Sequence, residues 1–555
     1  MRRVNLGGAW QVGRTGDEQS LEARVPGDVY RDLLEAGEIP DPFVRDNENN
    51  LQWIGQTEWR YSRRFTVDQA LLEEQHVLLR CEGLDTLATI TLNGKTIAET
   101  DNMFRTWEWD VKEHLRSGEN EIDITFASTI PYIEGKFRNR AIPGWWNFDK
   151  THAARWGYIR KQACNYGWDW GIKAITCGIW KEISLVAYST GRLKDLFVGQ
   201  DHLTDGKVEL STRIKAECRT EQPLSANVQV RYQDQVVAEQ HVPLNNGEAE
   251  TELLITDPQL WWPNNLGDQP LYTVVVELQT FDGTVQDVSS RRIGLRTLTL
   301  DRHNDQWGES FQFVVNGVPF FAKGANWIPA DGILSRVTQE HYRNLIADAA
   351  AANMNMLRVW GGGIYEDPAF YDICDELGIC VWQDFMFACA TYPAFDETFM
   401  VSVEQEARDN IRRLRHHPCL ALWCGNNEIE QGLVGDRGWD NGQMPWEEYA
   451  KLFDRLLPDL VDELDPQRSY WPGSPHSSGG DRSDFNNPAC GDAHLWSVWH
   501  GKEPFEWYRT CEHRFNSEFG FQSFPEPKTV YGYTEPRDRN VTSWVMEHHQ
   551  RSGIG

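Results

Sequence analysis

Short segments in which hydrophobic and polar residues alternate fill the chain up to about residue 190. Examples are residues 77–83, VLLRCEG, and residues 88–95, ATITLNGK, where Asn93-Gly94 is a strong signal for a two-residue hairpin turn. Alternation with a period of two is typical of β-strands that bury one face. We therefore expect residues 1–190 to form an all-β sandwich.

A second block of alternating segments occupies residues 191–305. It includes residues 227–232 (NVQVRY), 272–278 (YTVVVEL) and 291–296 (RRIGLR). The length of the block and the spacing of its segments are typical of an immunoglobulin-like β-sandwich. Its predicted role is packing and spacing.

The pattern changes after residues 315–320, VNGVPF, because apolar runs of strand length then alternate with helical segments at 339–352, 367–377 and 404–416. Candidate strands lie at 320–326, 353–360, 379–385, 419–424, 469–473, 491–496 and 513–519. Repeated βα units predict a (β/α)₈-type TIM barrel over residues 306–555.

The candidate strands number seven, whereas a closed barrel of this type needs eight. After the seventh, the sequence predicts a helix at 541–550 and then reaches Gly555. The expectation from this count is that the eighth strand is absent and that the chain is a fragment of a longer protein.

Composition and charge exclude several classes of protein. With 555 residues, of which 40% are hydrophobic and 25% charged, the chain is long enough for three or four folded cores. The 83 acidic residues outnumber the 54 basic ones, and no basic run is suited to nucleic acid. No stretch approaches the roughly 18 apolar residues that span a membrane, and no apolar signal segment follows Met1, so we expect a cytoplasmic protein.

Cysteine and tryptophan content change the picture only slightly. The 11 Cys include no Cys-x-x-Cys pair, which favours buried free thiols. The 25 Trp favour a carbohydrate ligand modestly, since wide indole faces suit sugar rings. Core packing remains the alternative for any single Trp.

Two carboxylates follow predicted strands of the barrel region. Glu428 ends residues 420–428, LALWCGNNE, and Glu518 ends residues 514–518, RFNSE. Reactive groups of such barrels lie at the carboxyl ends of strands, so this pair on the fourth and seventh strands predicts glycoside hydrolysis. For each carboxylate the alternative is a helix-capping or solvated role.

Glycoside hydrolysis of the predicted kind needs one carboxylic acid to protonate the leaving oxygen and one carboxylate to attack the anomeric carbon and form a glycosyl-enzyme intermediate. Retention of configuration predicts carboxyl groups about 5 to 5.5 Å apart. Asn427 is suited to bind the sugar 2-hydroxyl, although it can also satisfy backbone groups in a turn. The chemistry requires neither a metal nor an organic cofactor.

Three other clusters point less clearly to chemistry. His416-His417 and His548-His549 have no carboxylate or Cys partner at a usable sequence spacing, which favours structural roles over metal binding. Residues 361–363, GGG, lack a following Lys-Ser/Thr, so they favour close backbone approach over phosphate binding.

The motifs around the two carboxylates, residues 425–430 (GNNEIE) and 517–523 (SEFGFQS), resemble those of glycoside hydrolase family 2 β-mannosidases of clan A. Further stretches are similar to that family in the same order along the chain: 166–171 (YGWDWG), 323–331 (KGANWIPAD), 358–366 (RVWGGGIYE) and 494–501 (HLWSVWHG).

The resemblance implies an N-terminal jelly-roll sugar-binding-like domain, an immunoglobulin-like sandwich and a catalytic barrel. It implies a retaining exo-β-mannosidase that removes terminal non-reducing β-D-mannose from a β-mannoside or manno-oligosaccharide, with Glu428 as acid/base and Glu518 as nucleophile. The positions that match the family's glycone pocket are Trp168, Asp169, Arg358, Trp360, His494 and Trp496.

Several alternatives remain open. A family 2 β-galactosidase, β-glucuronidase or exo-β-glucosaminidase shares the carboxylate pair, although the 166–171 and 358–366 motifs favour mannose. Outside enzymes, one alternative is a non-hydrolytic carbohydrate-binding protein whose barrel is a degenerate scaffold. Another is a fragment without activity, because the family's eighth strand, which we expect to be absent here, carries a Trp of the sugar pocket. We expect the isolated chain to aggregate, while the natural substrate and the oligomeric state are left open.

Overall fold

The computed structural model of the protein describes residues 1–142, 144, 152–220, 222–434 and 445–552. Within these ranges, no helix is both long and apolar enough to cross a membrane. Three large hydrophobic cores lie along the chain, one in each β-sandwich and one around a parallel sheet. The third core also includes side chains from the N-terminal region, such as Met103 and Trp156, so the regions are packed together.

The N-terminal region is a sandwich of two antiparallel sheets. Its six-stranded sheet contains, in spatial order, Leu21–Val25, Gly8–Arg14, Trp59–Val67, Gly118–Phe126, Ala88–Leu92 and Lys95–Thr100. Its four-stranded sheet contains Arg2–Asn5, Ile183–Tyr188, His76–Cys81 and Trp107–Asp110. Its α-helices are Val29–Glu35, Asn47–Asn50, Gln69–Leu72 and Thr129–Asn139. Asn93 and Gly94 have φ of 50° and 79°, as the predicted hairpin turn requires.

The second region is also a two-sheet sandwich. One sheet contains Gly191–His202, Val208–Cys218 and Glu248–Ile255. The other contains Gln235–Pro243, Leu224–Tyr232, Tyr272–Thr280 and Val285–Ile293. Alternate residues such as Val228 and Val230 face the shared core, which explains the period of two in the sequence.

The third region begins with a small antiparallel sheet, Leu298–Asp301, Gln312–Val315 and Val318–Phe320, and a pair, Asn304–Asp305 and Gly308–Glu309. A five-stranded parallel sheet follows, with Gly324–Trp327, Met356–Val359, Cys380–Asp384, Leu420–Cys424 and Ser469–Trp471 in that order. Ala493–Leu495 and Asn516–Phe519 form a further parallel pair. We refer to these seven as the first to seventh parallel strands.

Helices separate most of the parallel strands. They are Gln339–Ala351, Pro368–Leu377, Glu397–Leu414, Ile429–Val434, Trp446–Ala450 and Leu457–Leu464, with Pro527–Tyr533 and Trp544–His549 after the seventh strand. Asp396 caps the long Glu397–Leu414 helix by accepting hydrogen bonds from the backbone N–H groups of Thr398 and Phe399.

The predicted first strand, residues 320–326, was placed too early. Asn316 and Gly317 have φ of 49° and 78° and turn the chain into an antiparallel hairpin, so Val318–Phe320 pairs with Gln312–Val315. The first parallel strand therefore starts only at Gly324, where it pairs with Met356.

A buried ion pair joins the N-terminal region to the parallel-sheet region. The guanidinium of Arg160 donates two hydrogen bonds, of 2.6 and 2.8 Å, to the carboxylate of Glu406. Tyr365 and Asn102 donate to the same carboxylate, and both charged side chains are almost fully buried. Nearby, the hairpin of Tyr166–Trp168 and Gly171–Lys173 carries Asp169 and Trp170 at its turn.

Candidate active site

Glu428 lies in the loop directly after the fourth parallel strand. Its φ of 59° is unusual for a residue with a side chain, and its backbone N–H donates to the carbonyl of Ser474 at 2.8 Å. The side chain is buried among polar groups: Cys389 Sγ lies 3.5 Å from Oε2, and His494 Nδ1 lies 2.8 Å from Oε1. The strained backbone thus holds the carboxyl group against His494.

Glu518 lies in the seventh strand, where Arg358 of the second strand donates to its Oε2 at 2.8 Å. The same guanidinium also donates to Asn326, Asp384 and Asn427 at 2.7 to 2.8 Å. Burial raises the pKa of Glu518 above its ordinary value, and the positive charge of the nearby Arg358 opposes that rise. Arg358 therefore favours the charged form that a nucleophile needs.

The two carboxylates and His494 form one cluster. An oxygen of Glu428, an oxygen of Glu518 and a ring nitrogen of His494 all lie within 4.8 Å of one another. Retaining glycosidases have carboxyl groups about 5 to 5.5 Å apart, whereas inverting ones have them about 6.5 to 9.5 Å apart. The close approach of the two carboxylates favours the retaining arrangement over the inverting one.

A cavity of about 1680 Å³ opens over the two carboxylates. The hairpin of the N-terminal region forms part of its wall. Trp168 and Trp170 both pack edge-on against Trp360, with ring centroids 4.8 and 5.4 Å from the centroid of Trp360. Asp169 lies in the same wall, and burial raises its pKa to about 6. The cavity thus combines aromatic faces with a carboxyl group, as a sugar site requires.

The structure brings nearly all the predicted site residues to this cavity. Those that line it are Trp168, Asp169, Arg358, Trp360, Asn427, Glu428, Trp496 and Glu518. His494 is 3% exposed, is not among the residues that line the cavity, and has its Nδ1 2.8 Å from Oε1 of Glu428. The functional roles of all nine residues stay predictions.

Four residues at the site were missing from the sequence prediction: Trp170, Asn326, Asp384 and Cys389. Asn326 and Asp384 lie at the carboxyl ends of the first and third strands, so the rule that identified Glu428 also applies to them. Cys389 was assigned only as a buried thiol, yet its sulfur accepts a hydrogen bond from the amide of Asn427 at 3.2 Å.

Among the residues that the structure describes, two clusters offer three potential metal-ligand atoms each. In the first, Glu428, His494 and Glu518 are already bonded to each other or to Arg358, whose charge opposes a cation. The second contains Asp375, His417 and Cys419, where His417 Nδ1 lies 2.6 Å from the carboxylate of Asp375. Asp375 comes from a distant helix, so the folded chain gives His417 a carboxylate partner that sequence spacing could not show.

Family models match both sandwich regions of the chain. The model described as the glycosyl hydrolase 2 galactose-binding domain-like domain matches residues 10–181, and the model described as glycosyl hydrolases family 2 matches residues 191–296. Among curated proteins, β-mannosidase B of Emericella nidulans is 36% identical over 99% of this chain and 66% of its own length. β-Mannosidase B of Thermothelomyces thermophilus is 38% identical over 96% of this chain and 63% of its own length.

Among solved structures, the β-D-mannosidase from Dictyoglomus thermophilum matches with a TM-score of 0.94 and 39% identity, covering 100% of this chain and 67% of that one. The chain belongs to glycosyl hydrolase family 2. The resemblance predicted from the motifs is thereby confirmed, and the N-terminal sandwich of this family 2 chain is galactose-binding domain-like. The chain spans about two thirds of the length of the relatives it matches and shares their fold over nearly all of its own residues.

Proposed function

We propose that this chain carries the active site of a retaining exo-β-mannosidase that releases terminal non-reducing β-D-mannose. The observation that carries the proposal is the spacing of Glu428 and Glu518, whose oxygens lie within 4.8 Å in one cavity. Relatives at 36 to 39% identity named β-mannosidases support the choice of sugar.

The proposed reaction proceeds in two displacements. In the first, Glu428 gives its proton to the glycosidic oxygen while Glu518 attacks the anomeric carbon, which forms a mannosyl-enzyme ester and releases the aglycone. In the second, Glu428 takes a proton from water, and the water oxygen displaces Glu518 from the anomeric carbon. Two inversions give net retention of configuration.

The remaining cavity residues would bind the mannose ring. Asp169 is suited to accept hydrogen bonds from sugar hydroxyls, and Asn427 lies beside Glu428, where the family resemblance predicts a contact with the 2-hydroxyl. The wall of Trp168 and Trp360 would close the site beyond one sugar, which supports exo action.

We further propose that the seven parallel strands belong to a (β/α)₈ barrel. The unbroken parallel order of the first five strands supports this, as does the contact of the first strand with the seventh, where Asn326 Nδ2 donates to the carbonyl of Ser517 at 3.2 Å. The cytoplasmic location expected from the sequence stays a prediction.

The test is hydrolysis of 4-nitrophenyl β-D-mannopyranoside by the protein and by Glu518→Ala and Glu428→Ala. We expect Glu518→Ala to be inactive and azide to restore turnover with an α-mannosyl azide product, because the small anion replaces the nucleophile. For a poor leaving group, Glu428→Ala is expected to lower kcat/KM by about 10² to 10⁴. Glu506→Ala, which removes an exposed carboxylate outside the cavity, serves as the matched control.

A panel of nitrophenyl β-mannoside, β-galactoside, β-glucuronide and β-glucosaminide separates the alternatives within family 2. Preference for any sugar other than mannose contradicts the substrate assignment. Binding of mannose without turnover of any glycoside instead supports a carbohydrate-binding module.

A further inference from the structure

Ser474 touches the candidate acid/base from two sides. Its carbonyl accepts the backbone N–H of Glu428, and its Oγ lies 2.8 Å from Nε2 of His494, whose Nδ1 faces Glu428. Ser474 and His494 are both almost fully buried, so bulk water does not compete for these bonds. The hydroxyl direction of Ser474 therefore determines which nitrogen of His494 carries the proton.

Asp492 fixes that direction. Its Oδ1 accepts hydrogen bonds from the indole N–H of Trp471 at 2.7 Å and from the backbone N–H of His476 at 3.0 Å. Its Oδ2 accepts from the hydroxyls of Ser474, at 2.6 Å, and of Ser517. A carboxylate among four donors acts as an acceptor, so the single hydroxyl proton of Ser474 points to Asp492.

The oxygen of Ser474 is then free to accept, and its partner at 2.8 Å is Nε2 of His494. His494 is thus the tautomer with hydrogen on Nε2, and its Nδ1 presents a lone pair to Glu428 Oε1. A lone pair at 2.8 Å from a carboxyl oxygen is favourable only if that oxygen carries a proton.

We propose that Asp492, Ser474 and His494 form a hydrogen-bond relay that keeps Glu428 protonated before the substrate is cleaved. Asp492 and Ser474 act through His494 and are positioning residues. The relay rests on the proposed glycosidase function, because protonation of Glu428 matters only if it is the general acid.

Other charged groups also face this cluster. Glu518 Oε2 lies 3.6 Å from His494 Nδ1, and Asp169 faces Glu428 across the cavity. Arg358 and Asp384 act on His494 from the second and third strands. Burial lowers the pKa of His494, which agrees with a neutral ring. Asp492 also acts on His494 and Arg358 through its charge, which Asp492→Asn removes, whereas Ser474→Ala breaks the relay and leaves that charge and all these groups unchanged.

Asp492→Asn is expected to reverse the direction of the hydrogen bonds that run from Asp492 through Ser474 and His494 to Glu428. The N–H groups of Trp471 and His476 can only donate, so the new amide must keep its oxygen toward them and turn its NH₂ to the serine hydroxyls. Ser474 then donates to Nε2 of His494, and Nδ1–H donates to a charged Glu428. The acid becomes easier to ionise, so the basic limb of kcat/KM is expected to move about one pH unit lower.

The kinetic experiment uses mannobiose, whose leaving group needs protonation, and 2,4-dinitrophenyl β-mannoside, whose leaving group does not. We expect Asp492→Asn and, to a smaller extent, Ser474→Ala to shift the basic limb downward for mannobiose and to leave the dinitrophenyl rate much less affected. Ser478→Ala, which removes a hydroxyl bonded to Glu309 in the same loop, should match the wild type.

An independent readout is the tautomer of His494, measured by NMR on protein with ¹⁵N-labelled imidazoles and assigned by the signals lost in His494→Asn. The expected result is hydrogen on Nε2 in the wild type and on Nδ1 in Asp492→Asn. If the wild type is active and Asp492→Asn changes neither the basic limb of kcat/KM nor the tautomer of His494, the relay is overturned and the proposed function is not. If the wild type cleaves no glycoside, the proposed function is overturned, and the relay is then tested by the tautomer of His494 alone. If Asp492→Asn does not fold, the same measurements on Ser474→Ala test the relay.

Discussion

Arg358 reaches four polar partners at the ends of different strands, and one of them is the candidate nucleophile. Its positive charge opposes the rise in the pKa of Glu518 that burial causes. A buried guanidinium in this position keeps the nucleophile ionised at a lower pH than burial alone would allow.

Replacing Arg358 by Met should therefore raise the pKa of Glu518 further. Because the nucleophile must be ionised, activity is lost as the pH falls through that pKa, and the acidic limb of kcat/KM is expected to move to higher pH. Arg358→Lys keeps the charge and should keep the limb near its wild-type position, although loss of the planar fork lowers the rate. An unshifted limb in Arg358→Met would contradict this electrostatic role.

The position of Glu428 and Glu518 in the cavity could be predicted from the sequence because each ends a stretch of strand length in the βα region, apolar before Glu428 and mixed apolar and polar before Glu518. Ser474 and Asp492 could not, since their importance depends on hydrogen-bond partners from three separate strands and loops. Cys389 was seen only as an apolar thiol for the same reason: its contacts with Asn427 and Glu428 exist only in the folded chain.

At the scale of elements, the helix Glu397–Leu414 was predicted to begin seven residues late, at residue 404. The signal for its true start is Asp396, an N-cap residue, whereas the apolar spacing alone is clear only further along. The first parallel strand begins later than predicted because Asn316 and Gly317 form a hairpin turn that pairs Val318–Phe320 with the preceding strand. In both cases local turn and cap chemistry decided the boundary.

The same helix supplies Glu406 to the buried ion pair with Arg160. Glu406→Gln leaves the guanidinium without a compensating charge, and the expected loss is about 3 to 5 kcal/mol in the free energy of unfolding. Urea denaturation followed by circular dichroism measures it. Glu404→Gln, on the same helix, removes only the partly exposed pair with Arg408 and should cost about 0 to 1 kcal/mol. Equal losses in the two variants would mean that burial of the pair is irrelevant.

For the whole molecule, the division into two β-sandwiches followed by βα units could be read from the change in hydrophobic period, because each period reflects which faces are buried. What the pattern could not give is how the regions pack. The hairpin with Asp169 enters the cavity of another region, and the bonds that hold the regions together, such as Arg160 to Glu406, join residues far apart in sequence.

Large apolar side chains are exposed beside the outer edges of the first and seventh parallel strands. Phe321, Phe519 and Phe524 are 79%, 55% and 66% exposed, next to strands that each have one pairing partner. Clustered, exposed aromatic side chains favour association.

We therefore expect the chain to self-associate at micromolar concentration, as light scattering after size exclusion would measure. Phe321→Glu should reduce the associated fraction, while Phe281→Glu, at a 92% exposed site in the second sandwich, should not. A sharp monomer peak with a cooperative melt for the unaltered chain would refute this expectation.

The placement of Asp169 at the tip of an N-terminal hairpin also sets an order of events during synthesis. The ribosome delivers this hairpin early, and the sandwich that carries it can fold while the rest of the chain is still being made. Glu518 is delivered much later. The pocket that both residues line therefore cannot exist in any nascent chain shorter than the one that includes the seventh strand, so the proposed hydrolytic activity should appear only after that strand has been made.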